Sequence, residues 1–222
     1  MEQKSKSIAE NVADIINTIP PNVNVLAAAK TRTLDEVKEV IQAGIKNIGY
    51  NYIQEAIPII ESIGMNARWH MIGHLQRNKA KKAAYYFDMI ETIDSWDLAQ
   101  ILDRYCKKIR KTLPILIEIN SGREANKTGV LIENVDELVE KMMDLENVHI
   151  EGVMTMGPRF GNPEDARPYF KATREVFERI ASRNLPKINM HILSMGMSNS
   201  YQVAIEEGAN LVRIGTKIFG GR

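Results

Sequence analysis

Several features that mark special protein classes are scarce or missing in this sequence of 222 residues. It holds a single cysteine, Cys106, so no disulfide can form within the chain, which is typical of a reducing compartment. No apolar run is long enough to cross a membrane, and the first residues are polar, unlike a secretion signal. We therefore expect a cytoplasmic protein that binds no membrane.

Net charge is also nearly absent. The 29 lysines and arginines balance the 28 aspartates and glutamates to within one charge, so no long-range field attracts nucleic acid. The basic cluster of residues 77–82 is most simply a solvated helix face, and we expect no nucleic-acid partner. His70 and His74 have no cysteine or carboxylate cluster beside them, so we expect no metal site.

Short apolar segments alternate with amphipathic ones along the whole chain. Strands are predicted at 24–29, 47–50, 67–73, 89–93, 114–120, 148–156, 188–193 and 210–214. Helices are predicted at 5–18, 33–43, 52–62, 78–86, 95–110, 134–145, 163–183 and 198–208. This alternation predicts one domain over residues 1–222, an α/β (β/α)₈ TIM barrel with an extra N-terminal helix that helps to cover the barrel where the chain stops. An open doubly wound sheet is the alternative, but the glycine fingerprint after its first strand is missing.

Polar residues follow most of the predicted strands, at the end where barrels of this kind carry their sites. These residues are Lys30, Asn51, His70, Asn120, Thr155, Ser194 and Arg213. The last two strands also lead into segments rich in glycine, serine and threonine. Ser198 is predicted to cap the helix that follows strand seven, and Gly215 and Thr216 follow strand eight. Free N–H groups at such turns favour a phosphate, and the alternative is an ordinary capped connection.

Lys30 ends the apolar run of residues 25–29, which should be buried, and a lysine is rarely buried without a function. Burial favours the neutral amine, which is the nucleophile that attacks an aldehyde. The alternative is a lysine whose stem is covered while its head reaches water. A lysine that faces a phosphate site across the barrel mouth predicts a Schiff base with a phosphorylated aldehyde, and pyridoxal 5′-phosphate (PLP) is the obvious candidate.

Arg213 and His70 are the two further candidates for this pocket. Arg213 lies between apolar neighbours and needs a partner, either the pyridine nitrogen of the cofactor or a carboxylate such as Glu118. His70 is expected to line the pocket, and a structural histidine is the alternative.

Motifs along nearly the whole chain resemble the YggS/PROSC-type pyridoxal phosphate homeostasis proteins. They are AAAKT with Lys30, GYNYIQE at 49–55, WHMIGHLQRNK at 69–79, GVMTM at 152–156, LSMGMS at 193–198, and VRIG at 212–215 with IFG at 218–220. The resemblance implies a barrel like the N-terminal domain of alanine racemase, with PLP held covalently on Lys30. It further implies that Arg213 faces the ring nitrogen, that Asn51 and His70 line the pocket, and that Ser194 or Ser198 with the Gly215 and Thr216 backbone holds the phosphate. Tyr50 and Ser200 depart from the family pattern, which usually has a glutamate and an aspartate there.

Racemases of this fold use a second acid or base from another domain and subunit, for which this chain has no room. We therefore expect a monomeric protein without catalytic residues that buffers PLP, a form of vitamin B6, and hands it to PLP-dependent apo-enzymes. The transfer of PLP to apo-enzymes is implied by the resemblance, whereas the residues alone support only the binding of an aldehyde and a phosphate. A weak PLP-dependent amino-acid racemase is the alternative, and a barrel enzyme that acts on a phosphorylated metabolite without PLP is a third possibility.

Overall fold

The computed structural model describes residues 6–158 and 161–221, in which eight parallel strands close into a barrel. Each strand pairs with the next one along the chain, and the last pairs with the first. The strands are β1 (Asn24–Ala28), β2 (Asn47–Tyr50), β3 (Arg68–Met71), β4 (Met89–Ile93), β5 (Leu113–Ile119), β6 (Val148–Thr155), β7 (Ile188–Met197) and β8 (Leu211–Ile214). The predicted (β/α)₈ barrel is confirmed, and the open sheet is excluded.

Helices cover the outside of the barrel. They are α1 (Ile8–Thr18), α2 (Leu34–Gln42), α3 (Ile53–Ile63), α4 (Ala80–Tyr86), α5 (Trp96–Ile109), α6 (Val135–Met142), α7 (Arg167–Ser182), α8 (Tyr201–Glu206) and the short α9 (Thr216–Phe219). Thr33 caps α2 and Glu36 completes the capping box, as the sequence predicts. Residue 5, where the first helix is predicted to begin, lies outside the described residues.

The extra N-terminal helix is confirmed, and it packs against both α2 and α9. Its inner face buries Val12 and Ile15, and the Asn11 side chain donates a hydrogen bond to the Ile218 carbonyl at 3.0 Å. The helix that follows β8, α9, is only four residues long. The N-terminal helix therefore covers the part of the barrel that this short helix leaves open.

The predicted start of the helix after β7 is wrong. β7 continues to Met197, and α8 begins at Tyr201 with Ser200 at its N-cap position, rather than at Ser198. The Ser198 hydroxyl instead accepts a hydrogen bond from the backbone N–H of Gly215. A long-range contact with the β8–α9 turn has taken the place of the predicted local cap.

The interior of the barrel has two layers, which we name by their distance from the carboxyl ends of the strands. The lower layer is apolar and consists of Leu26, Met89, Leu116, Ile192 and Leu211. The upper layer is polar and consists of His70, Glu91, Glu118, Ser194 and Arg213. On β4, β5, β7 and β8 the two layers are two residues apart, because alternate side chains of a strand share one face. The carboxyl end of the barrel therefore holds a buried polar floor.

Candidate functional site

Lys30 lies in the turn that follows β1, and it is half-buried. Its Nζ atom lies 5.2 Å from the centre of the Tyr52 ring, within the range of a cation–π contact. Of the two alternatives for Lys30, full burial is not what the structure shows, because β1 ends two residues earlier and the turn brings Lys30 to the rim.

The turn after Lys30 is held in an unusual conformation. Thr31 has a φ of 62°, a region that β-branched residues rarely adopt. Its backbone N–H donates to Glu55 Oε2 at 3.1 Å, and its hydroxyl donates to the Lys30 carbonyl at 2.7 Å. These contacts hold the backbone in the turn next to Lys30.

A small cradle of backbone donors lies on the neighbouring strand end. The Ser198 hydroxyl accepts from the N–H of Gly215 at 3.1 Å and from the N–H of Lys217 at 3.5 Å. These residues and Thr216 form the turn from β8 into α9. Two N–H groups therefore converge on one oxygen at the rim.

This cradle is beside Lys30 rather than opposite it. Closure of the barrel pairs β8 with β1, and a Cβ atom built on Gly215 would lie 3.4 Å from the Ala28 carbonyl oxygen. The prediction that Lys30 faces the cradle across the barrel mouth is thus wrong. The two features occupy adjacent strand ends, because the first and last strands of a closed barrel are neighbours.

The upper layer contains a continuous chain of buried hydrogen bonds. His70 Nδ1 lies 2.7 Å from Glu91 Oε1, and the Ser194 hydroxyl donates to Glu91 Oε2 at 2.6 Å. Arg213 Nη1 donates to the Ser194 oxygen at 2.6 Å, and Arg213 Nη2 donates to the Thr155 carbonyl at 2.7 Å. These hydrogen bonds connect β3, β4, β6, β7 and β8 below the rim.

The two buried carboxyls of this layer have opposite pKa shifts. Burial acts to raise the pKa of Glu91, but the hydrogen bond and electrostatic attraction of His70, the charge of Arg213 and the Ser194 hydrogen bond more than offset it, so the pKa is lowered. Burial raises the pKa of Glu118, whose only hydrogen-bond partner among the described residues is the Thr128 hydroxyl, at 3.0 Å. Arg213 donates to Ser194, and its Nη1 atom lies 3.9 Å from Glu91 Oε2. The alternative of a buried arginine–carboxylate pair is therefore present, with Glu91 in the place of Glu118.

Two buried polar atoms of the upper layer have no hydrogen-bond partner within the described residues. They are His70 Nε2 and Glu118 Oε2. An unpaired buried polar atom costs about 1–3 kcal/mol, so each is a point where a ligand can contribute. Glu91 was missed in the sequence because it is a single charge within the apolar strand MIETI. Its position two residues beyond Met89, on the same face of β4, is the signal that could have identified it.

Asn51 follows β2 and is half-buried at the rim. It lines a cavity of about 270 Å³ together with Tyr52, His74, Gln76 and Lys79, among others. Gly73 passes so close that a Cβ atom there would lie 2.4 Å from the Asn51 carbonyl oxygen. Asn51 and Lys30, which lies against Tyr52, thus belong to the same edge of the barrel mouth, while Ser194 lies below it in the upper layer.

The two departures from the family pattern are both buried. Tyr50 packs with its ring centre 6.5 Å from that of Trp69, and burial raises the pKa of its hydroxyl. Ser200 accepts a hydrogen bond from the Met197 N–H at 3.3 Å. Neither residue takes part in the hydrogen-bond chain of the upper layer.

Within residues 6–158 and 161–221 there is no group of three or more histidine, cysteine, aspartate or glutamate residues that could hold a metal ion. His70 pairs with Glu91, while His74 lies 3.9 Å from Asp94 at the surface. The helices of the described residues are too short or too polar to span a bilayer.

Comparison with known proteins gives a consistent result. The family model for the alanine racemase N-terminal domain matches residues 4–222. The chain is also similar to the pyridoxal phosphate homeostasis protein of Aquifex aeolicus (strain VF5), with 39% identity over 198 residues, which covers 89% of this chain and 86% of that protein.

Two solved structures are similar as well. PipY of Synechococcus elongatus PCC7942 with PLP bound has a TM-score of 0.88 and 30% identity, and the match covers 96% of this chain and 100% of PipY. An alanine racemase of Clostridium difficile 630 in complex with cycloserine has a TM-score of 0.81 at 16% identity, over 97% of this chain and 60% of the racemase. The second match shows a shared fold alone.

Proposed function

The chain belongs to the pyridoxal phosphate homeostasis proteins, which share the fold of the alanine racemase N-terminal domain, and we propose that it holds PLP as a Schiff base on Lys30. The observation that carries this proposal is the adjacency of Lys30 and the Ser198–Gly215 cradle. The aldehyde and the phosphate arm of PLP are on neighbouring carbons of the pyridine ring. Their protein partners must therefore be close together, as the ends of β1 and β8 are.

The rest of the ring has suitable partners deeper in the barrel. Arg213 lies on β8, two residues before Gly215 in the turn that follows this strand, and two residues of extended chain span about 6–7 Å. A ring with its phosphate at Gly215 can therefore direct its nitrogen toward the Arg213 guanidinium. Asn51 at the rim and the unpaired Nε2 of His70 are the further polar groups that we assign to the pocket.

Of the two serines predicted to hold the phosphate, we favour Ser198. Its hydroxyl already accepts from the N–H groups of Gly215 and Lys217, and these donors suit a phosphate oxygen equally well. Thr216 contributes the next backbone group of the same turn. The Ser194 hydroxyl has no proton left to donate to a phosphate, because it donates to Glu91, and its oxygen also accepts from Arg213.

The covalent step requires only an amine and an aldehyde. The neutral Nζ of Lys30 adds to the aldehyde carbon, a C=N bond replaces the C=O bond, and one water molecule leaves. Contact with the Tyr52 ring and the fixed turn at Thr31 hold the amine at the rim. No oxidant, reductant or metal is needed, so the bond can form and hydrolyse reversibly.

An absorbance spectrum of the purified protein after addition of PLP tests this proposal. We expect a visible Schiff-base band that sodium borohydride abolishes, with the reduced adduct on the peptide that contains Lys30. Lys30→Ala should lose the adduct and retain weaker binding of PLP through the phosphate cradle. Lys79→Ala, which removes another lysine near the mouth, should keep the adduct. A trapped adduct in Lys30→Ala would contradict the proposal.

We further propose that the protein acts as a monomeric carrier that buffers PLP and passes it to apo-enzymes, rather than as a racemase. The relatives are named as homeostasis proteins, which supports this function. The weak racemase remains the competing hypothesis. Incubation of the loaded protein with L- and D-amino acids in deuterium oxide distinguishes the two. Steady incorporation of deuterium at Cα would contradict the carrier function, whereas transfer of PLP to an apo-enzyme without such turnover would support it.

A further inference from the structure

Glu91 is a fully buried carboxylate that the proposed function leaves without a role. Each of its oxygens has one hydrogen-bond partner, His70 Nδ1 at Oε1 and the Ser194 hydroxyl at Oε2. The partners of Glu91 lower its pKa, so the carboxylate is ionised and can only accept hydrogen bonds. The proton between His70 and Glu91 therefore belongs to His70 Nδ1.

The position of this proton determines what His70 offers to the interior. Its other ring nitrogen, Nε2, is buried and has no partner within the described residues. In a neutral imidazole one nitrogen donates and the other accepts. In the neutral form of His70, Nδ1 therefore carries the proton and Nε2 presents a lone pair to a ligand.

The second arm of Glu91 leads to Arg213. The Ser194 hydroxyl donates its hydrogen bond to Glu91, and its oxygen accepts a hydrogen bond from Arg213 Nη1 at 2.6 Å. On its other side the guanidinium donates to the Thr155 carbonyl at 2.7 Å. Both contacts lie in a buried region, where a charge without such partners is costly. The guanidinium is thereby held in one orientation.

We propose that Glu91 is a positioning residue, which holds His70 as an acceptor at Nε2 and, through Ser194, holds Arg213 as a donor. The site then favours a planar ligand with one acceptor and one donor on its ring. A hydroxypyridine has both, in its ring nitrogen and its hydroxyl. In naming this ligand class the inference rests on the proposed function, whereas the arrangement of His70, Glu91, Ser194 and Arg213 is independent of it.

The first experiment uses the ligand-free protein with ¹⁵N-labelled histidine. We expect nuclear magnetic resonance to show His70 protonated at Nδ1, with a downfield, slowly exchanging proton that reflects a hydrogen bond to a charged acceptor. Glu91→Gln should move this proton upfield. Glu118→Gln, which alters the other buried glutamate of the same layer, should leave it in place. A proton on His70 Nε2 in the wild-type protein, with or without one on Nδ1, would overturn the proposal.

The second experiment measures binding of 4′-deoxypyridoxine 5′-phosphate by calorimetry. This analogue keeps the ring nitrogen, hydroxyl and phosphate but has no aldehyde, so Lys30 cannot form a bond with it. We expect Glu91→Gln to raise the dissociation constant at least about tenfold, because one partner of a buried charged network is lost. Ser194→Ala removes the link between Glu91 and Arg213 but keeps the hydrogen bond between His70 and Glu91, so it should also weaken binding while His70 stays protonated at Nδ1. Glu137→Gln, which alters an exposed glutamate of α6 outside the barrel, should bind as the wild type does.

Thermal unfolding of each variant shows whether it is folded, and Ser194→Ala tests the Arg213 arm even where Glu91→Gln does not fold. If the wild type fails to bind the analogue, the proposed function fails, while the His70 resonance still decides the role of Glu91. If the wild type binds it and Glu91→Gln and Ser194→Ala bind it equally well, the positioning role is overturned and the proposed function stands.

Discussion

On β4 and β5 the lower and upper layers inside the barrel are buried to nearly the same degree, yet they have opposite chemistry. Met89 and Leu116 of the lower layer are 0% exposed, and Glu91 and Glu118 of the upper layer are 0% and 4% exposed. A step of two residues along a strand therefore changes the side chain from apolar to charged without changing its access to water. Burial alone does not distinguish the part of the interior that stabilises the fold from the part suited to bind a ligand.

The hydrogen-bond partners of Glu91 and Glu118 show what does distinguish the two parts of the interior. Glu91 has a partner at each oxygen and its pKa is lowered, whereas Glu118 has one partner and its pKa is raised. In a region of low dielectric constant the hydrogen-bond partners decide whether the charged form is accepted. In the upper layer, Glu91 thus has a hydrogen-bond partner at each oxygen, whereas Glu118 has one at a single oxygen. A buried carboxyl without full hydrogen bonding does not favour stability, so this arrangement suits a ligand better than it suits the fold.

The largest effect should come from the lower layer. Leu116→Ala removes a fully buried side chain and should lower the free energy of unfolding by about 2–5 kcal/mol, because a cavity remains. Urea denaturation measures this loss. Binding of 4′-deoxypyridoxine 5′-phosphate to the folded variant should be unchanged, since Leu116 touches none of the proposed polar contacts. A large loss of binding by folded protein would show that the layers are not separable.

A smaller effect with a defined pH dependence is expected for Glu118→Gln. The raised pKa means that the folded state holds a proton that the unfolded state releases, so the contribution of Glu118 is fully present below its ordinary pKa of 4.5 and is lost as the pH rises toward the folded value. The glutamine variant has no such loss. Its unfolding free energy should therefore exceed that of the wild type increasingly from about pH 4.5 upward.

Urea denaturation at several pH values provides the measurement. The contribution of Glu91, whose pKa is lowered, has the opposite sign and disappears as the pH falls through its folded value. Since both proteins contain Glu91, the difference between them isolates Glu118. A difference that is independent of pH would mean that Glu118 is ionised in the folded protein.

The smallest effect should come from Thr128, whose hydroxyl donates a hydrogen bond to the Glu118 carboxyl. Thr128→Val keeps the shape of the side chain and removes the hydroxyl, so we expect a loss of about 1 kcal/mol. Thr128→Ser keeps the hydroxyl and is the matched control. Because this hydrogen bond lowers the pKa of Glu118, the cost of Thr128→Val should grow with rising pH. An equal loss in both variants would assign the effect to packing instead.

The sequence was sufficient to predict elements whose signals are local. The alternation of strands and helices, the capping box of α2 and the extra N-terminal helix all follow from the spacing of apolar residues and from caps. Lys30 was recognised because it ends an apolar run. The role of Ser198 was mistaken, because its hydroxyl bonds to Gly215, which is 17 residues away, rather than to its own helix.

The sequence by itself determined that this chain forms eight strand–helix units with polar residues at the carboxyl ends of the strands, because side-chain periodicity and capping act over a few residues. Only the tertiary structure decided that Lys30 lies beside the β8 turn, and that Glu91 connects His70 to Ser194 and Arg213. Closure of the barrel makes its first and last strands neighbours and turns alternate residues of separate strands toward one interior. Contacts between residues so far apart in the chain have no signature in any local pattern.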